Sequence, residues 1–360
     1  MEAEAEAVAE ADNVINVNNY LKFTVFSDFH YKKMMYIPSV EDMEKIISSA
    51  KACSSSLVLH AGDMCNDYKG SPELLSAYLD NREGVAVFGA YGNHELESRG
   101  NNMAFVTPRL TNREVVWGTP DGRIGNGETA YYYFDEGSFR FIFLDTNYSY
   151  SEELGKWEHN REASWGKPSE NILGDSLGPD QIAWLESVLE RTASEGKRAI
   201  LVSHAALGGG TRAHTPDRTK VQGIIEAVNE KTPRTVIMAI SGHYHTNHLS
   251  VENGVVYFDV NTVRNGFWNP KAIPHYTTET FKYTEYDKEG NKISVTERPV
   301  SDLSMQGKTW FFDAPLFAHV TISPELEITV SGKEVGWVGG IDPNPELFAD
   351  PKISSFSAKI

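Results

Sequence analysis

Short apolar runs of strand length alternate along this chain with stretches of helical periodicity, and that alternation limits the fold more than any other feature. The runs are Leu21 to Phe26, Leu57 to Leu59, Val85 to Phe88, Phe139 to Leu144, Ala199 to Val202, Val236 to Ile240 and Val255 to Val260. Each is rich in β-branched, leucine or aromatic residues, as strands are. Between them, Val40, Met43, Ile46, Ile47 and Ala50 recur at helical spacing, and so do Ile182, Leu185, Val188 and Leu189. The second series comes after Gly178-Pro179-Asp180, where proline suits a helix start because its missing N–H would have gone unbonded there. Strand and helix in alternation predict an α/β architecture. The apolar stripes themselves are accounted for by core packing.

Polar residues able to bind metal stand just past most of these runs. Asp28 and His30 come just after the first, Asp63 after the second, Asn93 and His94 after the third, His204 after the fifth, and His243 with His245 after the sixth. In open α/β sheets ligands bind beyond the carboxyl ends of the strands, so these dispersed side chains are expected to meet on one rim. Imidazole, carboxylate and amide oxygen suit borderline to hard divalent ions, with no call for thiolate. Two such ions about 3.5 to 4 Å apart can clamp an in-line displacement at phosphorus, with a carboxylate such as Asp63 as the natural bridge. Asp145 and Asn147 end the fourth run, and Asn261 and Arg264 come after the seventh. Arg264 is the candidate for a phosphate contact, because guanidinium pairs with phosphate in two-pronged fashion, and Asn147 is a second candidate for touching substrate. His60, near Asp63, is expected to pack beside the site or support it.

The ordered set Asp28-Phe29-His30, Gly62-Asp63, Gly92-Asn93-His94-Glu95, His204 and Gly242-His243-Tyr244-His245 resembles the calcineurin-like metallophosphoesterases over roughly residues 20 to 262. The resemblance implies a pair of packed β-sheets flanked by helices. It implies that Asp28, His30 and His245 hold one metal while Asn93, His204 and His243 hold the other, with Asp63 shared. His94 is then the histidine that protonates the leaving oxygen, and a metal-bound hydroxide attacks phosphorus. Manganese, iron and zinc all suit these ligands. Purple acid phosphatases, a branch of the family, carry a tyrosine three residues after the bridging aspartate; Asn66 stands there, which argues against an iron–tyrosinate centre. Where the family often has histidine, any residue, proline, this chain has His204-Ala205-Ala206, predicting a looser loop.

Composition bounds the substrate. The net charge of -17 repels long polyanions, and no Lys/Arg-dense block interleaved with aromatics is present, so nucleic acid is not expected as a partner. A small phosphate ester remains compatible, since two divalent cations reverse the local potential. No apolar run approaches the roughly 18 residues of a membrane helix. Cys53 and Cys65 flank the second run, too far apart to bridge, and are expected as free thiols. The opening MEAEAEAVAE lacks a basic start and an apolar core, so it does not resemble a secretory signal, and a cytoplasmic location is expected.

The expected organisation is an acidic, disordered tail over 1–19, a catalytic domain over 20–275 and a β-rich extension over 276–360, where Asp287-Lys288-Glu289-Gly290-Asn291 reads as a hairpin turn. The stretch from Asn147 to Gly178, with Tyr148, Tyr150, Trp157 and Trp165, is long for a connection and is either a substrate wall or a packed insertion. Two rival functions stand beside hydrolysis of a small phosphomonoester or phosphodiester: a nuclease of the same fold, which requires a basic groove, and a non-catalytic scaffold, which predicts missing ligands.

Overall fold

A computed structural model describes residues 20–31, 38–65, 74, 84–98, 113–118, 131–159, 176–208, 214–268, 280–286, 292–299, 309–338, 340 and 350–360. The tail, Asn66, Trp165 and the 287–291 turn lie outside them. Two mixed sheets face each other. The first runs in the order β19 (Phe356–Lys359), β18 (Glu327–Ser331), β17 (Ala318–Ile322), β1 (Leu21–Phe26), β2 (Leu57–His60), β3 (Ala86–Gly89). The second runs β11 (His248–Glu252), β12 (Val255–Asp259), β10 (Val236–Ser241), β9 (Arg198–Ser203), β6 (Phe139–Leu144), β5 (Tyr132–Glu136), β4 (Val115–Trp117). β1, β2 and β3 are parallel, as are β6, β9, β10 and β12. Their carboxyl ends therefore supply the loops in which every candidate ligand lies.

The space between the sheets is filled by one apolar cluster. From the first sheet come Phe23, Leu57, Leu59 and Phe88, and from the second Phe134, Phe141, Phe143, Ile200, Ile240 and Phe258. Phe23 meets Phe141 edge-on with centroids 5.4 Å apart, and Phe88 stacks on Phe134 at 3.7 Å. Burying one such ring contributes about 1.5–3 kcal/mol, so this seam between the sheets is a principal source of stability. Helix α1 (Val40–Ala52) covers the outer face of the first sheet through Met43, Ile46, Ile47 and Ala50, and Ser39 with Asp42 closes its capping box. Helices α2 (Pro179–Ser194) and α3 (Arg218–Lys231) cover the second sheet through Ile182, Leu185, Leu189, Val221 and Ile225. The architecture is thus the expected pair of sheets between helices.

Past the seventh run the chain is β-rich, as predicted. β14 (Thr280–Tyr286) pairs only with β15 (Lys292–Pro299), and β13 (Asn265–Trp268) only with β16 (Thr309–Phe311), each as a separate ribbon among the described residues. β17, β18 and β19 instead join the first sheet, β17 running antiparallel to β1 with Leu21 opposite Ile322. After β6 the chain forms a hairpin of β7 (Tyr148–Ser151) and β8 (Lys156–His159). Cys53 is exposed and Cys65 buried, and neither is in a disulfide.

Candidate metal centre

The loops leaving β1, β2 and β10 are unusual in their backbone. Asp28, His30, Asp63, His243 and His245 all have φ between 51° and 71°, and they make up five of the nine described non-glycine residues with positive φ. For an L-residue this conformation costs on the order of 1 kcal/mol each, and such strain gathers where side-chain direction is functional. Here it turns successive side chains inward. Asp28 N–H is held by the Gly62 carbonyl at 3.0 Å and His30 N–H by the Asp63 carbonyl at 2.9 Å, so the first two loops are zipped together.

Two clusters result, sharing Asp63. In one, Nε2 of His30 and Nε2 of His245 stand 2.8 Å apart, and Asp28 Oδ1 lies 3.2 Å from the latter and 3.5 Å from the former. That oxygen is buried and accepts no aligned hydrogen bond. In the other, Nε2 of His204 faces Asp63 Oδ2 at 3.1 Å, Asn93 Oδ1 at 3.1 Å and His243 Nδ1 at 3.0 Å. Asp63 Oδ2 is also 3.8 Å from His30 Nε2, which places it between the clusters. Ligands each about 2.1 Å from a divalent ion stand on the order of 3 Å from one another, so both clusters fit one.

The protonation pattern makes the same demand. His204 Nδ1 lies 2.7 Å from the Ala61 carbonyl, an acceptor only, so Nδ1 carries a proton and, in the neutral ring, Nε2 presents a lone pair. That lone pair points at two further oxygens, an arrangement that repels unless positive charge sits in its midst. Burial opposes protonation of His204, yet the Asp63 carboxylate outweighs burial and raises the imidazole to about 10. Burial likewise works to raise Asp63, but His204 and His94 hold it far below the usual carboxylate range. A divalent cation meets the same need for positive charge while using every ligand at once.

The loops are fixed by groups around the clusters. Glu95 accepts N–H from Asp63 at 2.9 Å, Met64 at 2.7 Å and Gly92 at 2.7 Å, tying the loop after β2 to the loop after β3. His94 N–H donates to Asp63 Oδ1 at 2.8 Å, while its ring stands edge-on to His30 and its Nε2 lies 3.9 Å from Asp63 Oδ2. His243 N–H and Ser27 Oγ both donate to Asp28 Oδ2, at 2.9 and 2.6 Å. Two glycines are needed for these approaches. A Cβ on Gly92 would lie 2.2 Å from Asp63 Oδ1, and one on Gly242 would lie 1.8 Å from Ser27 Oγ and 2.5 Å from Asp28 Oδ2. His60 Nδ1 accepts Gly62 N–H at 3.1 Å, so it supports the loop.

Asp28, His30, Asp63, Asn93, His94, His204, His243 and His245 thus stand together. Asn147 is buried, and its Nδ2 is committed to the Tyr91 carbonyl at 3.0 Å and Asp145 Oδ1 at 2.9 Å. Arg264 is not gathered in: its Nη1 pairs with Asp42 on α1 at 2.9 Å and its Nε donates to the Phe312 carbonyl at 2.8 Å. A buried Asp42 carboxylate needs a partner, and that need takes the guanidinium foreseen for phosphate. The loop after β9 is firmer than its missing proline suggested, because Ala205 and Ala206 are buried and Thr215 N–H donates to the Ala206 carbonyl at 3.0 Å. Glu95 went unassigned in sequence, although it closes the Gly92-Asn93-His94-Glu95 block.

The family model described as calcineurin-like phosphoesterase matches residues 21–247. A dimetal phosphatase from Danio rerio superposes with a TM-score of 0.53 at 14% identity, covering 92% of this chain and 99% of that one. A purple acid phosphatase from yellow lupin, Lupinus luteus, gives 0.42 at 14% identity, covering 93% of this chain and 54% of that one. No curated protein sequence matches the chain.

Proposed function

The chain belongs to the calcineurin-like phosphoesterases, metal-dependent phosphoric ester hydrolases, and from that premise we propose that it hydrolyses a small phosphomonoester or phosphodiester at a centre of two divalent cations. One observation carries the reading: Asp63 Oδ2, Asn93 Oδ1 and His243 Nδ1 all lie within 3.1 Å of His204 Nε2, beside a second cluster that shares Asp63. Asp28, His30 and His245 would hold one cation, Asn93, His204 and His243 the other, and Asp63 both. When bound, manganese, iron or zinc ions supply positive charge for the phosphoryl oxygens and lower the pKa of water at the site.

The remaining steps belong to the chain's own side chains. Asp63, held by the Glu95 clamp and by His94 N–H, keeps the two clusters at fixed separation. His94 carries a proton at Nε2 and delivers it to the leaving oxygen, while its T-shaped contact with His30 fixes the ring plane. The strained loops hold this arrangement in advance of substrate, so little reorganisation remains for the reaction. The intact complement of metal-competent groups also speaks against a scaffold role.

The test is hydrolysis of p-nitrophenyl phosphate and bis-p-nitrophenyl phosphate with added Mn²⁺, comparing wild type with Asp63→Asn. Asp63→Asn is expected to lose metal and activity together. Retention of full activity by Asp63→Asn, or no hydrolysis of either ester by wild type, overturns the reading.

A further inference from the structure

One face of the β7–β8 hairpin is a continuous row of rings. In its antiparallel register Tyr148 stands opposite His159 and Tyr150 opposite Trp157. Directly opposed residues, and residues two apart on a strand, share a face, so all four rings lie on the same side. The inner pair is packed: His159 lies against Tyr91 with centroids 5.4 Å apart, and Tyr148 meets it edge-on at 5.1 Å. The outer pair meets at 5.9 Å and is open, with Tyr150 49% and Trp157 38% exposed and Leu154 at the tip 54% exposed. Among the described residues these three are half of the exposed large hydrophobics, and a fourth, Tyr244, sits between His243 and His245.

The row is rigidly attached to the catalytic rim. His159 Nε2 pairs with Asp145 Oδ2 at 2.8 Å, and Asp145 Oδ1 accepts the Asn147 N–H at 3.0 Å. Asn147 in turn holds the carbonyl of Tyr91, the residue immediately before Gly92-Asn93-His94. Gln181 locks Asp145 from α2, donating to its carbonyl and accepting its N–H at 2.6 and 2.8 Å. Rings scattered singly over a surface need no account, whereas contiguous apolar surface marks a site of binding. Here its inner end rests on Tyr91, three residues before His94 in the loop after β3.

Building on the hydrolase reading above, we propose that this row is the subsite for the organic part of the substrate and that it takes a planar aromatic group, laid on Trp157 and Tyr150 while the phosphoryl group sits among Asp63, Asn93 and His94. Flat rings contribute contact area on a fixed platform with little loss of side-chain freedom, and stacking on such platforms is tolerant of ring identity.

The experiment compares 4-methylumbelliferyl phosphate with glycerol 2-phosphate on the full chain with Mn²⁺, in wild type, Trp157→Ala, Tyr150→Ala and Trp157→Phe. Both alanine variants are expected to lose about tenfold in kcat/KM for the aryl ester, almost all in KM, and to stay within about twofold for the glycerol ester. Trp157→Phe keeps most of the preference, and Tyr20→Ala, an exposed ring elsewhere, changes nothing. Calorimetry gives a second readout: wild type prefers 1-naphthylphosphonate to methylphosphonate, and Trp157→Ala loses that preference. An equal fall for both esters, or no fall for either, overturns the proposal. If wild type hydrolyses neither ester the hydrolase reading fails, and the phosphonate preference then decides the subsite alone: its loss in Trp157→Ala supports the subsite, and its absence in wild type sinks it.

Discussion

Glu95 holds Asp63 by the backbone, its Oε2 accepting the Asp63 N–H at 2.9 Å while the same oxygen takes the Gly92 N–H at 2.7 Å. A carboxylate has acceptors on both arms; an amide has only one, and its NH₂ faces a donor in the same place. Glu95→Gln is therefore expected to lower stability by about 1–3 kcal/mol in urea unfolding. Metal affinity should fall by about 10–100-fold, as when groups supporting metal ligands are removed. Wild-type metal affinity in a calorimetric titration of Glu95→Gln would rule out the clamp.

Two glycines should respond in opposite ways to an added methyl group. Gly242→Ala puts that group into Ser27 Oγ and Asp28 Oδ2, so it is expected to cost metal binding as well as stability. Gly223 lies within α3 with nothing in the path of a Cβ, and Gly223→Ala should stabilise by about 0.5–1 kcal/mol, the helix penalty of glycine. Thermal denaturation with and without Mn²⁺ checks both, and a Gly242→Ala protein that gains as much from Mn²⁺ as wild type contradicts the first.

On the proposed reading His94 is the proton donor and not a metal ligand, and His94→Ala tests both halves of that assignment. Metal content by elemental analysis should be unchanged, and turnover should drop by about 10²–10⁴-fold. The drop is expected to grow as the leaving alcohol becomes more basic, since poor leaving groups depend most on protonation. Equal losses for p-nitrophenyl and alkyl esters would deny His94 the acid's role.

At the opposite end of β6, Arg140 is buried and pairs with Asp135 at 2.8 Å and Glu195 at 2.6 Å, and Lys197 joins both carboxylates. Burial alone would raise Asp135, but Arg140 and Lys197 lower it below its ordinary value. A lowered folded-state pKa means stability that is fully present above the unfolded value of about 3.9 and is lost as pH falls from there toward the folded value. Asp135→Asn should therefore be less stable than wild type at pH 7, by about 1 kcal/mol after allowance for solvent screening. The gap should be narrower at pH 3 than at pH 7. Urea unfolding at both pH values measures this, and a gap that widens in acid has the wrong sign.

Local pattern makes much of the architecture readable. Strands such as Leu21–Phe26 and Phe139–Leu144 coincide with their apolar runs, interrupted only by Lys22, Thr24 and Arg140, because strands buried on both faces are largely apolar and end where that character stops. The candidate ligands are readable for the same reason, as polar residues just past such runs. Helix α3 is harder to see although Val221, Ile224, Ile225 and Val228 have helical spacing, because the stripe is short and is interrupted by Gly223, a poor helix former. Left-handed backbone at Asp28 and His243 is invisible in sequence, since no glycine stands at those positions and only the tertiary zippering of loops imposes it. Arg264 misleads because chain position puts it on the rim, while its partner Asp42 lies on a distant helix.

The antiparallel neighbour of β1 arrives very late in synthesis: Thr24 and His319, joined at 2.8 Å, are 295 positions apart. A nascent chain emerging from the ribosome carries all of its candidate metal ligands long before that neighbour exists, and must wait with one edge of β1 unpaired, a state prone to wrong partners. Such distant pairing slows folding, so refolding in vitro should be sluggish and sensitive to protein concentration. A fragment ending at 275 would keep every candidate coordinating side chain and still lack the strand that seals the sheet behind Asp28 and His30.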